Sequence, residues 1–287
     1  MPREEVLCMA LYAFDGTWNE DEADEAKETN VLKFCKCLPL DMNVFYLEGV
    51  GTRLGFIGKL LGGLGGVGGP FRIARAREQM RQYFAEGDRT IDIIGFSRGA
   101  ALALHFANQV QEEQPEAEVR FLGLWDTVAC FGLPGNDLNI GWHLKLPDNV
   151  KQCCHAMALD ERRGNFCLTR VEPKNGETVG NRLQEVWFRG VHSDVGGGQC
   201  PGLSNIALCW MLRRAKETGL PVDEEKLQYY EGMCDPDAMI SKNFDPKKDP
   251  QRTINPEDFV HESVKDRGYS GGRVHNDPLP GLRIAYG

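Results

Sequence analysis

The sequence has no uninterrupted apolar run approaching the ~20 residues that a membrane-spanning helix needs, so it predicts no transmembrane helix. Positive charge is also scarce: the net charge of -9 over 287 residues argues against a nucleic-acid-binding surface. The first residues, MPREEVLCMALYAF, place acidic residues before a short apolar stretch, which predicts a first strand and not a signal peptide. We therefore expect a globular protein with no nucleic acid partner.

Cysteine pairs with metal-binding spacing are missing as well. None of the ten cysteines forms the paired C-x-x-C sets of a structural zinc site, and the nearest approaches are CKC at 35–37 and CCH at 153–155. Most cysteines lie in apolar segments, where a free thiol packs as a small hydrophobic side chain. Scattered cysteines of this kind are typical of a reducing compartment, so we expect a cytoplasmic protein with no metal and no cofactor.

Glycine, by contrast, is concentrated in one stretch, residues 49–70, which holds ten glycines. The stretch is not a phosphate-binding loop, because Lys59 is followed by Leu60 where a serine or threonine is needed. Two interpretations stay open: a mobile apolar loop, or a lid that meets an acyl chain or a membrane surface. The apolar side chains of such a lid are Phe56, Ile57, Leu60, Leu61, Leu64 and Val67.

Apolar periodicity predicts strands that alternate with helices. The strands are predicted over 6–14, 42–47, 91–94, 119–125 and 182–191, and the helices over 29–37, 73–84, 100–110, 149–159 and 203–219. This alternation is typical of an α/β fold, a doubly wound and mostly parallel sheet flanked by helices, and the serine motif described below makes it α/β-hydrolase-like. We expect one domain over 1–287, in which the polar residues 220–287 form a C-terminal extension packed on the domain.

Polar residues follow four of the predicted strands directly: Asp15, Ser97, Asp126 and His192 each come just after an apolar run. In a parallel sheet the carboxyl ends of the strands lie along one edge, where α/β proteins place their ligands. Residues that are far apart in the sequence are therefore expected to meet at one site.

Residues 91–103, IDIIGFSRGAALA, contain the most specific of these motifs. GFSRG at 95–99 fits the G-x-S-x-G nucleophile elbow, with a buried strand before it and good helix formers after it. The two glycines let strand and helix approach each other while the serine takes a strained backbone conformation. The alternative is an ordinary strand-to-helix turn with a chance serine, but the flanking segments favour Ser97 as a nucleophile.

A serine nucleophile needs a base, and the base needs an acid that orients it. The order Ser, Asp, His of α/β-hydrolases fits Ser97, Asp126 and His192. Asp126 could instead cap a helix or a turn, and Asp194 is the rival acid. His261 and His275 are the rival bases, because many hydrolases place the histidine after the final strand.

The oxyanion that forms in such a reaction needs backbone N–H donors. One donor is expected from Arg98, directly after the nucleophile. The second is expected from Gly16 and Thr17, in the loop after the first strand.

Five motifs occur together and in order: DGTWN at 15–19, GFSRGA at 95–100, WDTV at 125–128, ALDERR at 158–163 and VWFRGVHSDVGGG at 186–198. Through them the sequence resembles the α/β-hydrolase domain family that includes the catalytic domains of type VI secretion phospholipase effectors, the Tle class. The resemblance implies serine-dependent hydrolysis of carboxylic esters, typically in phospholipids, with the triad at Ser97, Asp126 and His192. It also implies a small ester or phospholipid substrate, peripheral contact with a membrane surface, and non-classical export as an effector as the alternative to a cytoplasmic location.

Two other functions fit the same strand ends. Asp15, Asp126, Asp194 and His192 could bind a metal ion for phosphoester hydrolysis, which a chelator would inhibit. A catalytically inactive binding module with the same fold would not react with a fluorophosphonate probe, since only an activated serine is labelled.

Overall fold

The computed structural model describes residues 9–16, 27–49, 68–129, 142–174, 180–241, 252–266 and 281–287. Thr17 and residues 50–67, which make up most of the glycine-rich stretch, lie outside these ranges.

A parallel sheet runs through the described part of the chain. Its strands and two shorter ones are β1 (Met9–Phe14), β2 (Asn43–Leu47), β3 (Thr90–Phe96), β4 (Glu118–Trp125), β5 (Lys145–Leu146), β6 (Val150–Ala158), β7 (Glu172–Pro173), β8 (Leu183–Phe188), β9 (Phe259–His261) and β10 (Arg283–Ala285). The sheet has the order β10-β9-β8-β6-β4-β3-β1-β2, and each of its pairings is parallel. β5 and β7 pair with each other apart from it.

Helices cover both faces of this sheet. They are α1 (Asn30–Lys36), α2 (Gly68–Ala85), α3 (Arg98–Glu113), α4 (His192–Gly196), α5 (Pro201–Glu217), α6 (Glu224–Glu231) and α7 (Ser263–Asp266). One apolar cluster joins the sheet to α2 and α3, and another joins it to α1, α5 and α6. The predicted doubly wound α/β fold is therefore confirmed. None of the helices in the described ranges is long and apolar enough to cross a membrane.

Strand β3 shows how the sequence produces these two layers. Successive side chains of a strand point to opposite faces of the sheet. Ile91 and Ile93 accordingly pack in the cluster with α2 and α3, whereas Ile94 and Phe96 pack in the cluster with α1 and α5. The strand is thus apolar on both faces, which is the pattern of a central parallel strand.

The helix predicted over 149–159 is wrong, because this segment is strand β6, paired with β4 and β8. Its residues Cys153, Cys154 and Met157 are fully buried, since helices lie on both sides of the strand. A short, mostly apolar segment of this length fits a buried strand as well as a buried helix, and periodicity alone does not separate the two.

The structure adds detail in two segments, the start of helix α2 and the C-terminal region. Helix α2 begins at Gly68, inside the glycine-rich stretch, five residues before the predicted start. The polar extension predicted over 220–287 contributes β9 and β10 to one edge of the sheet. Val260 and Leu282 from this region join Trp187 in a small apolar cluster, so the extension is tied to the sheet by core packing as well as by backbone pairing.

Candidate active site

Ser97 lies at the turn between β3 and α3, in a backbone conformation that non-glycine residues rarely adopt. Its φ is 60° and its ψ is -125°. Its N–H donates to the carbonyl of Trp125 at 3.0 Å, which ties the turn to the end of β4. Positive-φ conformations of this kind cost about 1–3 kcal/mol and occur mainly at functional sites.

The glycines on either side of Ser97 are required by close packing. A Cβ atom on Gly99 would lie 2.1 Å from the carbonyl oxygen of Phe14, and one on Gly95 would lie 2.6 Å from the carbonyl oxygen of Gly99. Any larger residue would push α3 away from β1 and β3. The packing therefore matches the reason given for these glycines from the sequence.

Asp126 and His192 meet at the carboxyl edge of the sheet. Asp126 follows β4 and His192 begins α4, and Oδ2 of Asp126 lies 2.6 Å from Nδ1 of His192. Both side chains are buried. Because Nδ1 faces a carboxylate, Nε2 is the ring atom left to accept a proton. The rings of Phe96 and Phe166 pack against the imidazole, with centroids 4.6 and 4.7 Å from it, and restrain its orientation.

Contacts made by Ser97 and by the residue before it place the serine close to Asp126 and His192. Phe96, which precedes the serine, packs on His192, and Trp125, whose carbonyl binds the N–H of Ser97, precedes Asp126. No hydrogen bond between Ser97 Oγ and His192 is present among the described residues. Such bonds often tighten only when a substrate binds.

Glu161 binds the backbone of His192, and the sequence predicted no role for it beyond its place in the ALDERR motif. Its carboxylate accepts the N–H of His192 at 3.0 Å and binds the guanidinium of Arg163. Burial raises the pKa of Glu161, but the hydrogen bond and charge of Arg163 outweigh burial, so the pKa lies below its usual value. An ionised Glu161 therefore fixes the start of α4.

Arg252 is the second residue that sequence reasoning missed. Its Nη1 lies 2.5 Å from Oδ1 of Asp126 and its Nη2 lies 3.0 Å from Oδ2, so the guanidinium binds both carboxylate oxygens. Burial by itself raises the pKa of Asp126, but the charges of Arg252 and His192 outweigh burial and hold this pKa well below its usual range. Arg252 comes from the polar C-terminal region, where no local pattern distinguishes it.

Asp194, the rival acid, is engaged elsewhere. Its carboxylate accepts the N–H of Val191 at 3.0 Å and the N–H and hydroxyl of Ser241 at 2.9 and 2.5 Å. Burial raises the pKa of Asp194. These bonds hold the loop before α4 and leave the carboxylate out of contact with His192.

The rival base His261 has no acid to orient it in the described part of the chain. Its Nδ1 accepts from the N–H and the hydroxyl of Ser263, at 3.2 and 2.8 Å, and its ring stacks on Phe188. This arrangement suits a neutral, structural histidine.

His155, which the sequence placed in a helix, forms a further histidine–acid pair. Its Nδ1 lies 2.9 Å from Oε1 of Glu185, while its Nε2 accepts the N–H of Thr127 at 3.1 Å. Both ring nitrogens are therefore used. The contact with Thr127 positions the loop directly after Asp126, so this pair is part of the support of the site.

The predicted oxyanion donors are only partly described. Arg98 is the first residue of α3, where N–H groups have no partner within the helix. The N–H of Gly16 donates to Oδ1 of Asp15 at 2.6 Å and must leave that carboxylate to serve as a donor. Thr17 lies outside the described residues. The oxyanion roles of these residues stay predictions.

Of the four residues proposed as metal ligands, Asp126 and His192 contact each other, whereas Asp15 and Asp194 have partners elsewhere. Asp15 accepts from Thr29 and Tyr46, and Asp126 is bound by Arg252. No group of three or more His, Cys, Asp or Glu side chains within the described ranges is placed to hold a metal ion. A guanidinium on both oxygens of Asp126 also occupies the positions that a metal would use.

Acidification is expected to destabilise the fold partly through His261. Burial lowers the pKa of His261 from 6.5 to about 4, so the unfolded chain binds a proton before the folded chain does. Stability is therefore lost as the pH falls from about 6.5 towards 4. The substitution His261→Gln should reduce the difference in unfolding free energy between pH 7 and pH 4.5, measured by urea denaturation, by about 2 kcal/mol.

The matched control for this prediction is Val264→Ala, since Val264 is 5% exposed, like His261, and its side chain does not titrate. This variant should keep the pH dependence of the unchanged protein. An equal dependence in the His261→Gln variant would show that His261 does not contribute to acid destabilisation.

Fold and site together define an α/β-hydrolase-like protein: a parallel sheet with a strained serine turn and an Asp–His pair at its carboxyl edge. The family model of the type VI secretion phospholipase effector Tle1-like catalytic domain matches residues 9–112 and 103–214, and the chain belongs to this family.

Two solved structures are similar to the chain. An uncharacterized protein from Pseudomonas aeruginosa is 25% identical with a TM-score of 0.51, and the match covers 75% of this chain and 46% of that one. The Tle1 effector, solved bound to the VgrG spike of the type 6 secretion system, is 26% identical with a TM-score of 0.48, covering 68% and 51%. The chain thus spans about half the length of these proteins. No curated protein matches the sequence.

Proposed function

We propose that the chain is a serine hydrolase that cleaves carboxylic esters, with phospholipids as the substrate class. The observation that carries this proposal is the 2.6 Å contact between Asp126 and His192 beside a serine with a φ of 60°. A buried carboxylate on Nδ1 leaves Nε2 as the base, and the strained turn presents Ser97 at the same edge of the sheet.

Each residue of the proposed site has its own role in the reaction. Ser97 Oγ attacks the ester carbonyl while its proton passes to Nε2 of His192. Asp126 keeps the imidazole oriented and stabilises its charged form. The oxyanion accepts the N–H of Arg98. The tetrahedral intermediate then expels the alcohol, which takes the proton from His192, and a water molecule deprotonated by His192 hydrolyses the acyl-serine.

The family supports the choice of substrate, because its description names phospholipase effectors. A phospholipid presents carboxylic esters next to a phosphate headgroup, and short synthetic esters present the same reacting bond. Delivery by a type VI secretion system is part of this proposal and rests on the family alone.

A fluorophosphonate probe combined with phospholipid vesicles tests the proposal. The purified protein should release fatty acid from the vesicles, and stoichiometric labelling by the probe should abolish that release. EDTA should have no effect on either reaction, because the proposed mechanism uses no metal.

Other outcomes would contradict it in distinct ways. Hydrolysis that EDTA abolishes and the probe leaves intact would favour a metal-dependent phosphoesterase. Vesicle binding with neither labelling nor hydrolysis would favour an inactive binding module.

A further inference from the structure

Arg252 reaches the site from outside the part of the chain that the family model covers. The model ends at residue 214, whereas Arg252 begins a described segment, residues 252–266, that leads into β9. Its side chain is 9% exposed. The contact with Asp126 therefore joins the C-terminal region to the end of β4.

The guanidinium is fixed on both sides. Besides the two oxygens of Asp126, Nη1 donates to the carbonyl of Ala158 at 2.7 Å and Nη2 donates to the carbonyl of Phe166 at 2.8 Å. The planar fork of arginine can satisfy two oxygens and two carbonyls at once, whereas a lysine cannot. The ring of Phe166 packs on the imidazole of His192. Arg252 therefore restrains the carboxylate of Asp126 directly and the imidazole of His192 through Phe166.

A cation at this position has two opposing electrostatic effects. A fully buried aspartate without a charged partner tends to take up a proton, so Arg252 keeps Asp126 ionised. The same positive charge, however, weakens the attraction that Asp126 exerts on a protonated His192. Arg252 thus keeps the carboxylate of Asp126 fixed and ionised, but it also reduces the stabilisation of a protonated His192.

We propose that Arg252 is a positioning residue of the site: it holds the carboxylate of Asp126 in the orientation that directs Nε2 of His192 to Ser97, and its charge sets the pH range in which the base works. This inference rests on the proposed hydrolase function.

The other titratable groups around the pair have partners of their own. Glu161, which binds the N–H of His192, is paired with Arg163. The remaining pairs on neighbouring elements are Asp160 with Arg189, and His155 with Glu185, and Asp194 is bound to Ser241. Removal of Arg252 is therefore the substitution that changes the net charge next to Asp126 most directly.

Three substitutions separate the charge of Arg252 from its hydrogen bonds. Arg252→Met removes both and should slow fluorophosphonate labelling and kcat by about 100-fold, since a misplaced catalytic group costs that much. It should also move the acid limb of kcat/KM up by about one pH unit, because an imidazolium no longer faces a nearby cation. Arg252→Gln should move the limb similarly, whereas Arg252→Lys should keep the limb and lose part of the rate.

The control is Arg120→Met, which breaks a comparable buried arginine–carboxylate pair, in which Arg120 on β4 binds both oxygens of Asp92 on β3. It should leave labelling, rate and pH profile unchanged. Circular dichroism and thermal melts show which variants fold, and if the methionine variant does not, the lysine and glutamine variants decide the question.

An Arg252→Gln variant that folds, and whose acid limb and labelling rate equal those of the unchanged protein, would overturn the proposal. So would rate losses in the methionine and glutamine variants without a shift of the acid limb, because a purely structural residue has that signature. Failure of the hydrolase function itself is seen separately, as absence of labelling and hydrolysis in the unchanged protein. In that case the low-field proton resonance of the Asp126–His192 bond still tests the orientation: it should weaken in the glutamine variant, and an unaltered resonance would overturn the role of Arg252.

Discussion

Replacing Ser97 with alanine should abolish ester hydrolysis and leave the fold intact. The substitution removes only Oγ, the atom that attacks the ester, so the acyl-enzyme cannot form. Loss of one triad member in serine hydrolases typically lowers kcat by about 10⁴-fold or more. The unfolding free energy should change by less than about 1 kcal/mol, because the serine side chain makes no hydrogen bond that supports α3.

The measurement compares hydrolysis of short p-nitrophenyl esters and of phospholipid vesicles by the two proteins, together with urea denaturation. Ser263→Ala is a matched control, because Ser263 is a second buried serine beside a candidate base, with its Oγ 2.8 Å from Nδ1 of His261. The control should keep full activity. Full activity in the Ser97→Ala variant would reject the nucleophile, and loss in the Ser263→Ala variant alone would move the site to His261.

The strand ends could be predicted because topology, and not detailed contact, brings them together. Asp126 and His192 are separated by two crossovers, yet each follows a parallel strand, and the carboxyl ends of such strands lie at one edge. The prediction that these residues meet therefore did not require the order of the strands in the sheet. It required only that apolar runs end in polar residues.

Strand β6 shows where the same reasoning fails. Its buried residues, from Cys153 to Ala158, face helices on both sides of the sheet, so the alternation that identifies a half-buried strand is missing. Strands β9 and β10 fail for another reason. Each has three residues, which is too short for any period to be recognised.

Arg252 was not predictable because its role depends on a contact over 126 residues of chain. A single arginine in a polar region resembles any solvated charge. Only its burial against Asp126 distinguishes it, and burial at this position follows from the way in which the C-terminal region packs beside β8.

The identity of the base depends on which atoms each ring meets. The sequence left His192 open against two rivals, His261 and His275, of which His275 lies outside the described residues. Nδ1 of His192 faces a carboxylate oxygen of Asp126, whereas Nδ1 of His261 accepts from Ser263. A base needs an acid at the far ring nitrogen to hold the correct tautomer. This geometry favours His192, and it leads to a prediction of comparable size to that for the serine.

The substitution His192→Gln should lower kcat by about 10⁴-fold, because the amide can donate to Asp126 but cannot accept the proton of Ser97 at working pH. Fluorophosphonate labelling of Ser97 should be lost in parallel, since the probe reacts only with an activated serine. His261→Gln, made in the same background, should retain both activities. It removes a buried histidine of similar exposure, 5% against 4% for His192, so general damage to the core would affect both variants alike.

The pair of variants therefore separates the two candidate bases without any knowledge of the natural substrate. Loss of labelling in the His261→Gln variant with labelling kept in the His192→Gln variant would reverse the assignment. Equal losses in both would mean that the effect is structural, and thermal melts would then show a matching fall in Tm. Under the proposed mechanism the Tm of the His192→Gln variant falls little, because Asp126 keeps its bonds to Arg252 and to the N–H of Ala158.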